Sequence, residues 1–231
     1  GNEADIDAAE TVGAIVADPG IRLVLLYIES LRDATALAHA ASLAHANDVP
    51  VLAVKAGRSS AGQATAASHT GAMASEDALV DAFLRQHGIV RLADFDELTE
   101  YAQIFAGGWR PRGRNVVAIS NSGATCVLAA DGAEEFGLTL PQFESEGAAT
   151  LREVLPAYVD TRNPIDMTTA LLGKPDIFGD ALNAVAQHQP PDLVFVGFPV
   201  GGEGYDFEGF STAAQTFSAT TGIPVAVGAT Q

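Results

Sequence analysis

The sequence predicts an α/β protein built as two consecutive doubly wound parallel-sheet domains. Three observations lead there. Short apolar, β-branched runs alternate with helical patterns of ten or more residues, the spacing of βαβ crossovers rather than of hairpins. The alternation breaks once, at "GGWRPRGR" (107–114), and then restarts. A length of 231 residues suits one large domain or two of ordinary size. The expected division is 1–109 and 110–231, with the two domains meeting through a polar cleft at the carboxyl ends of both sheets.

Taken in order, "GNEADIDAAETVGAIV" (1–16) reads as a loop entering a helix. "IRLVLLYI" (21–28) is a buried strand bounded by Pro19-Gly20, and "DATALAHAASLAHA" (33–46) is an Ala-rich helix. "VPVLAVK" (49–55) is the next strand, and an uncharged loop follows it. "SEDALVDAFLRQHG" (75–88) reads as a helix with Ser75 as N-cap, acidic residues in its first turn and Gly88 at its end. "IVRL" (89–92) and a helix over 94–106 close the first half. The second half holds a strand at 115–120, the turn "NSGA", a helix over 124–136 and a weaker strand "LTLPQF" (138–143). A helix near 145–155, the loop "RNPIDMT" (162–168), a helix near 175–187, the strand "LVFVGFPV" (193–200), a helix near 208–221 and the strand "IPVAVGA" (223–229) complete it. The first half shows three strands and opens without one. A first strand upstream of Gly1 is therefore expected, and without it the first sheet has an open edge.

A net charge of −17, divided evenly between the halves, argues against nucleic-acid and anionic-membrane partners. Any anionic ligand has to be held by local amides and helix ends. The single cysteine, Cys126, excludes a disulfide framework and a cysteine-based zinc site, and its apolar helix face marks it as core. No metal site is expected. No secretory signal and no apolar run of transmembrane length is visible, so a cytoplasmic protein is expected.

Ligands of doubly wound sheets bind beyond the carboxyl ends of the strands. Three unusual features fall there. Glu29 ends the strand 21–28; the segment carrying His69 follows the strand 49–55; "SNSGA" (120–124) follows the strand 115–120 and opens a helix. From Ser59 to Ser75 there is no Asp, Glu, Lys or Arg around His69. A carboxylate accepting from one ring nitrogen fixes the tautomer and frees the other nitrogen as a nucleophile. A phosphorylated imidazole is anionic, so an uncharged surrounding avoids repulsion. Helix N-termini at "SHTGA" and "NSGAT" would add amide donors. Each feature alone has a plainer reading as a solvated histidine, a surface carboxylate or a common turn with its cap. Their shared edge is what raises them.

The run "VLAVKAGRSSAGQATAASHTGAMASEDALVDAFLRQHGIVRLADFDEL" (51–98) resembles the NDP-forming (ADP-forming) acyl-CoA synthetases, relatives of succinyl-CoA synthetase. The signature is a lysine or serine, "GRS", a small-residue run, then "SHTGA" and a helix. "GNEAD", "LLYIES", "ISNSGATCVLAADGAEEFGL" and "RNPID" fall in the family's order and spacing, so the resemblance covers essentially the whole chain. It implies two flavodoxin-like domains of the succinyl-CoA ligase type. It makes His69 the phosphoryl carrier and Glu29 its orienting carboxylate. Ser68, Thr70, Gly71, Ser122, Gly123 and Ala124 become phosphate-binding residues, and Asn2, Arg58, Asn121, Asn163 and Asp166 become substrate or phosphate contacts. The reaction implied is acid, CoA and ATP giving acyl-CoA, ADP and phosphate, reversibly. CoA, ATP or ADP and Mg²⁺ would bind mostly in a Rossmann CoA-binding domain and an ATP-grasp domain, neither visible here, with a homo- or hetero-oligomer expected. The turn at Ser122-Gly123-Ala124-Thr125 is less glycine-rich than the family's, which narrows its anion pocket.

Two other classes compete. A non-catalytic acyl-CoA- or nucleotide-sensing module of a protein acetyltransferase would have no need of an intact "SHTGA" and Glu29. A flavodoxin-like cofactor binder would need aromatic residues flanking its phosphate loops, and none flank these.

Overall fold

The computed structural model describes residues 5–70, 76–108, 110–172, 174–199 and 201–229, with backbone alone for 66–70, 175 and 229. The chain divides into two compact units, Gly1–Gly108 and Trp109–Gln231.

The first unit begins with α1 (Ala8–Ile15), started by a capping box in which Asp7 and Glu10 each accept the other's backbone N–H. β1 (Val24–Ile28), β2 (Val51–Lys55) and β3 (Val90–Leu92) form a parallel sheet in the order β1-β2-β3. Every residue of β2 is buried, as befits a central strand covered on both faces. Val24, Leu26, Ile28, Val51 and Ala53 pack with α1, with α2 (Ala34–Ala46) and with Val80 and Leu84 of α4 (Asp77–Gln86). Leu52, Val54 and Leu92 pack on the opposite face with Leu98 of α5 (Phe95–Ala106). Among the described residues β1 pairs with β2 alone, and its outward residues Leu25 and Tyr27 are about half exposed.

In the first unit one element differs in kind from expectation. The uncharged stretch after β2 is not a loop: Ser60–Thr70 forms a helix, α3. Ser59 starts it, its hydroxyl accepting from Gly62 N at 3.1 Å and its carbonyl from Gln63 N at 2.8 Å. Alanines 61, 64, 66 and 67 carry it by propensity rather than by an apolar stripe. α4 accordingly starts later than expected, with Glu76 at the N-cap and no side-chain cap bond, and Ser75 lies outside the described residues.

The second unit holds β4 (Val116–Ser120), β5 (Ile165–Asp166), β6 (Leu193–Phe198) and β7 (Val225–Ala229), all parallel in the order β5-β4-β6-β7. One face packs against α7 (Ser145–Val154), α8 (Pro175–His188) and α9 (Phe207–Thr221), around an aromatic cluster of Phe178, Phe198 and Phe210 with ring centroids 5.2–5.5 Å apart. Burying each such ring contributes about 2–3 kcal/mol. α6 (Gly123–Glu135) lies on the other face, burying only Cys126 and Ala133. Its closeness to β6 needs Gly197, where a Cβ would sit 2.5 Å from Thr125 Cγ2.

The weak strand expected at 138–143 is not one. Only Thr139 bridges, to Asn115, because Pro141 has no N–H to continue a ladder. The edge strand comes instead from the expected loop "RNPIDMT", as the two residues of β5. No helix among the described residues is long and apolar enough to cross a membrane.

Candidate functional site

In the first unit, the carboxyl edge of the sheet gathers the chemistry. β1 and β2 run in register, Ile28 opposite Lys55, and Ala56 N donates to Ile28 O at 2.9 Å. Glu29 therefore emerges, half-buried, beside the residues that leave β2. The chain then turns at Gly57, with φ +72, a backbone state that disfavours a side chain. Gly62 packs back on it so closely that a Cβ there would lie 3.2 Å from Gly57 Cα. The glycine of "GRS" is thus a steric necessity of the strand-to-helix turn. Arg58 is exposed at the start of α3.

Ser68, His69 and Thr70 fall in the last turn of α3, their side chains outside the description, while Asn2 and Gly71 lie outside the described residues altogether. Other groups of this unit gather at the end of β2.

Those groups form a charged cluster behind the edge, which the sequence did not single out. Lys55 is only 2% exposed, and its ammonium donates to the Ala56 carbonyl. Burial pushes its pKa down, Asp77 pulls it back up, Arg91 pushes it down again, and Glu29 pulls it up. Arg91 of β3 grips the first turn of α4, with Asp77 at 2.5 Å and Asp81 at 3.4 Å. Burial would lower the Arg91 pKa, but Asp77 and Asp81 outweigh it and raise the value. Asp81 also pairs with Arg85, which holds its carboxyl below the usual range. The signal available in sequence was a charged residue closing an otherwise apolar, doubly buried strand, followed by two carboxylates one helical turn apart.

In the second unit, Ser120 Oγ donates to Gly197 O at 2.7 Å and accepts from Ser122 N at 3.0 Å, shaping the turn into α6. Asn121 is buried there, and Ser122 is the N-cap without a side-chain cap bond. The α6 N-terminus is not an open anion site. Asp166 lies against it, so near that a Cβ on Gly123 would meet Asp166 Oδ2 at 2.9 Å, while Asp166 Oδ1 accepts from Thr168 N at 2.9 Å. A phosphate reaching Ser122, Gly123 or Ala124 competes with that carboxylate. Burial, and secondarily Asp166, pushes the Cys126 thiol up to about 11, leaving it protonated and inert.

Asn163 is not placed as a ligand contact. Its amide donates to Val116 O at 2.8 Å and Pro141 O at 3.1 Å, and its Oδ1 accepts from Ala118 N at 3.0 Å. The side chain is fully engaged in stitching the short edge of the sheet to β4. Among the described residues no group of three or more His, Cys, Asp or Glu is arranged to hold a metal.

Comparison with known proteins settles the family. Residues 1–105 match the succinyl-CoA ligase like flavodoxin domain. A trans-feruloyl-CoA synthase from an unknown prokaryote is 34% identical over 82% of this chain and 27% of its own length. The alpha subunit of the ADP-forming acetate–CoA ligase I of Pyrococcus furiosus is 34% identical over 75% of this chain and 37% of its own. The chain belongs to the ADP-forming acyl-CoA synthetase family. It spans well under half the length of these curated relatives of the synthetase family. The fold agrees: an acetyl-coenzyme A synthetase of Ca. Korarchaeum cryptofilum, solved with phosphate and ADP, superposes with a TM-score of 0.85 over 99% of this chain and 49% of that one, at 22% identity.

Proposed function

We propose that this chain is the phosphoryl-carrying part of an ADP-forming acyl-CoA synthetase, with His69 as the carrier. The observation that supports it most is the register of β1 and β2, which brings Glu29 and the chain leading to His69 to one edge of one sheet. In the ATP-forming direction, phosphate displaces CoA from the thioester to give an acyl phosphate. An imidazole nitrogen then attacks phosphorus, the P–O bond to the acyl group breaks, and the carboxylate leaves. Glu29, accepting from the other ring nitrogen, stabilises the charge that develops on the ring. An ADP oxygen attacks the phosphohistidine in turn and restores the free ring. CoA supplies the thiol, and the nucleotide with Mg²⁺ supplies or accepts the phosphoryl group. Both are expected to be held mainly by CoA-binding and ATP-grasp regions of the complete protein, on the same or another chain. The substrate is a carboxylic acid, and the protein is expected to act in the cytoplasm.

The test is labelling of the complete protein with γ-³²P-ATP and Mg²⁺. An acid-labile, alkali-stable phosphate mapping to His69 supports the reading, and its absence ends it. Glu29→Gln should keep the fold but slow labelling by on the order of 10²–10⁴-fold, because an amide stabilises the charged ring far less than a carboxylate. Rapid-quench labelling measures this, and a Glu29→Gln protein labelled at the parental rate would remove Glu29 from the mechanism.

A further inference from the structure

β1 is built like an interior strand, yet among the described residues it lies at the margin of its sheet. Natural edge strands are blunted by shortness, charge, proline or a bulge. β3, at the other margin, obeys that rule: it is three residues long and carries Arg91. β1 has none of these devices. Its five residues, VLLYI, are uncharged and pair with β2 in unbroken register, the composition of a parallel strand covered on both faces. Val24 N donates to Pro50 O and Ala56 N to Ile28 O, each at 2.9 Å, so the amides of Val24, Leu26 and Ile28 turn toward β2. By the same alternation the N–H and C=O of Leu25 and Tyr27 turn to the open side.

One face at this margin is open as well. α1, α2 and α4 cover the face of Val24, Leu26 and Ile28. On the opposite face Leu98 of α5 packs with Leu52, Val54 and Leu92, leaving Leu25 46% and Tyr27 48% exposed. Phe95, 58% exposed at the start of α5, stacks on Tyr27 with ring centroids 5.1 Å apart. A contiguous apolar face beside a row of outward amides fits one more strand and its helix. Handedness says where they come from. α2 joins β1 to β2, α4 is the second helix between β2 and β3, and both lie on one face, where right-handed crossovers all step in that direction. α1 lies on the same face and leads into β1, so a strand feeding α1 belongs on the open side of β1, parallel to it. A crossover stepping outward on that side lays its helix on the other face, over Leu25, Tyr27 and Phe95. Relatives carry enough chain to supply both, since this chain spans 27% and 37% of the two curated proteins above.

We propose that the open edge of β1 and the face of Leu25, Tyr27 and Phe95 form a docking surface within the complete synthetase. Its occupant is a strand parallel to β1 with an amphipathic helix, both from the segment that precedes α1. The role of His69 does not enter the argument and is untouched by its outcome.

The experiment is hydrogen exchange of the complete protein, read at single residues by electron-transfer fragmentation, before and after dilution. The amides of Leu25 and Tyr27 should exchange as slowly as that of Leu26, on the order of 10³-fold or more below the open-chain rate, at both concentrations. Fast exchange at Leu25 and Tyr27 beside a slow Leu26 means an open edge and overturns the proposal. Slow exchange that dilution abolishes assigns the edge to a second copy and overturns it too. Photo-crosslinking from p-benzoylphenylalanine at position 25 then names the occupant. A crosslink to a peptide preceding α1 in the same chain is the expected result; one to any other region or subunit rejects the assignment. If that replacement does not fold, exchange of the parent protein still decides whether the edge is paired.

Discussion

His69→Ala should abolish thioester formation by the complete protein, a loss on the order of 10⁴-fold or more, as for removal of a covalent nucleophile elsewhere. The reasoning is one of elimination within the segment. From Ser59 to Ser75 the other side chains that bear a heteroatom are hydroxyls, one amide and one thioether, none of which forms a phosphoryl ester at neutral pH without an activating base. The proposed orienting carboxylate, Glu29, lies half-buried just past the end of β1. The outcome to look for is a protein that melts like its parent, binds nucleotide, and makes no acyl-CoA. A His69→Ala protein that still forms the thioester would show direct transfer without a histidine intermediate. The fold would stand unchanged; the mechanism would not.

Much of the scaffold was legible because central parallel strands are buried on both faces. "VLAVK" and "VVAIS" are continuous apolar runs with no alternation, and both proved to be central strands. Three segments were not legible, each for a physical reason. α3 has no apolar stripe, since alanine, serine, threonine and glycine give no periodic contrast, so a helix held by propensity and the Ser59 cap resembled a loop. "LTLPQF" has a strand's apolar content, but Pro141 interrupts the ladder that would have made it one. β5 is two residues long, below any pattern's reach, and depends on a side chain, Asn163, to do what further strand residues would do. The candidate site divides along the same line. Glu29 and the His69 segment are candidates drawn from their order along the chain. Lys55 was not among them, because a lysine closing a strand ordinarily extends its charge to water, and only the packing of α4 against β3 shows that this one is enclosed.

Asn163→Ala should be the most destabilising single change at the predicted site, at about 3–5 kcal/mol. The residue is 4% exposed and satisfies two buried backbone groups, the Ala118 N–H and the Val116 carbonyl, and the half-buried Pro141 carbonyl. Each buried group deprived of its partner costs about 1–3 kcal/mol, and water does not readily reach the β4 edge to replace it. For a unit of this size the melting temperature should fall by roughly 10–20 °C. Asn163→Asp separates donor from shape. The aspartate keeps the acceptor for Ala118 N–H but turns two donor contacts into a carboxylate facing two carbonyl oxygens, so it too should be destabilised at neutral pH. Those carbonyls raise the folded-state pKa of the new carboxyl above its unfolded value. The folded state then binds more protons than the unfolded one as pH falls, and stability relative to the parent should recover on going from pH 8 to pH 5, where the protonated acid donates again. A substrate-binding Asn163 predicts the opposite pattern: near-parental melting at both pH values and a raised KM. Melting curves of the two variants at pH 5 and pH 8, set against the parent, decide between the two.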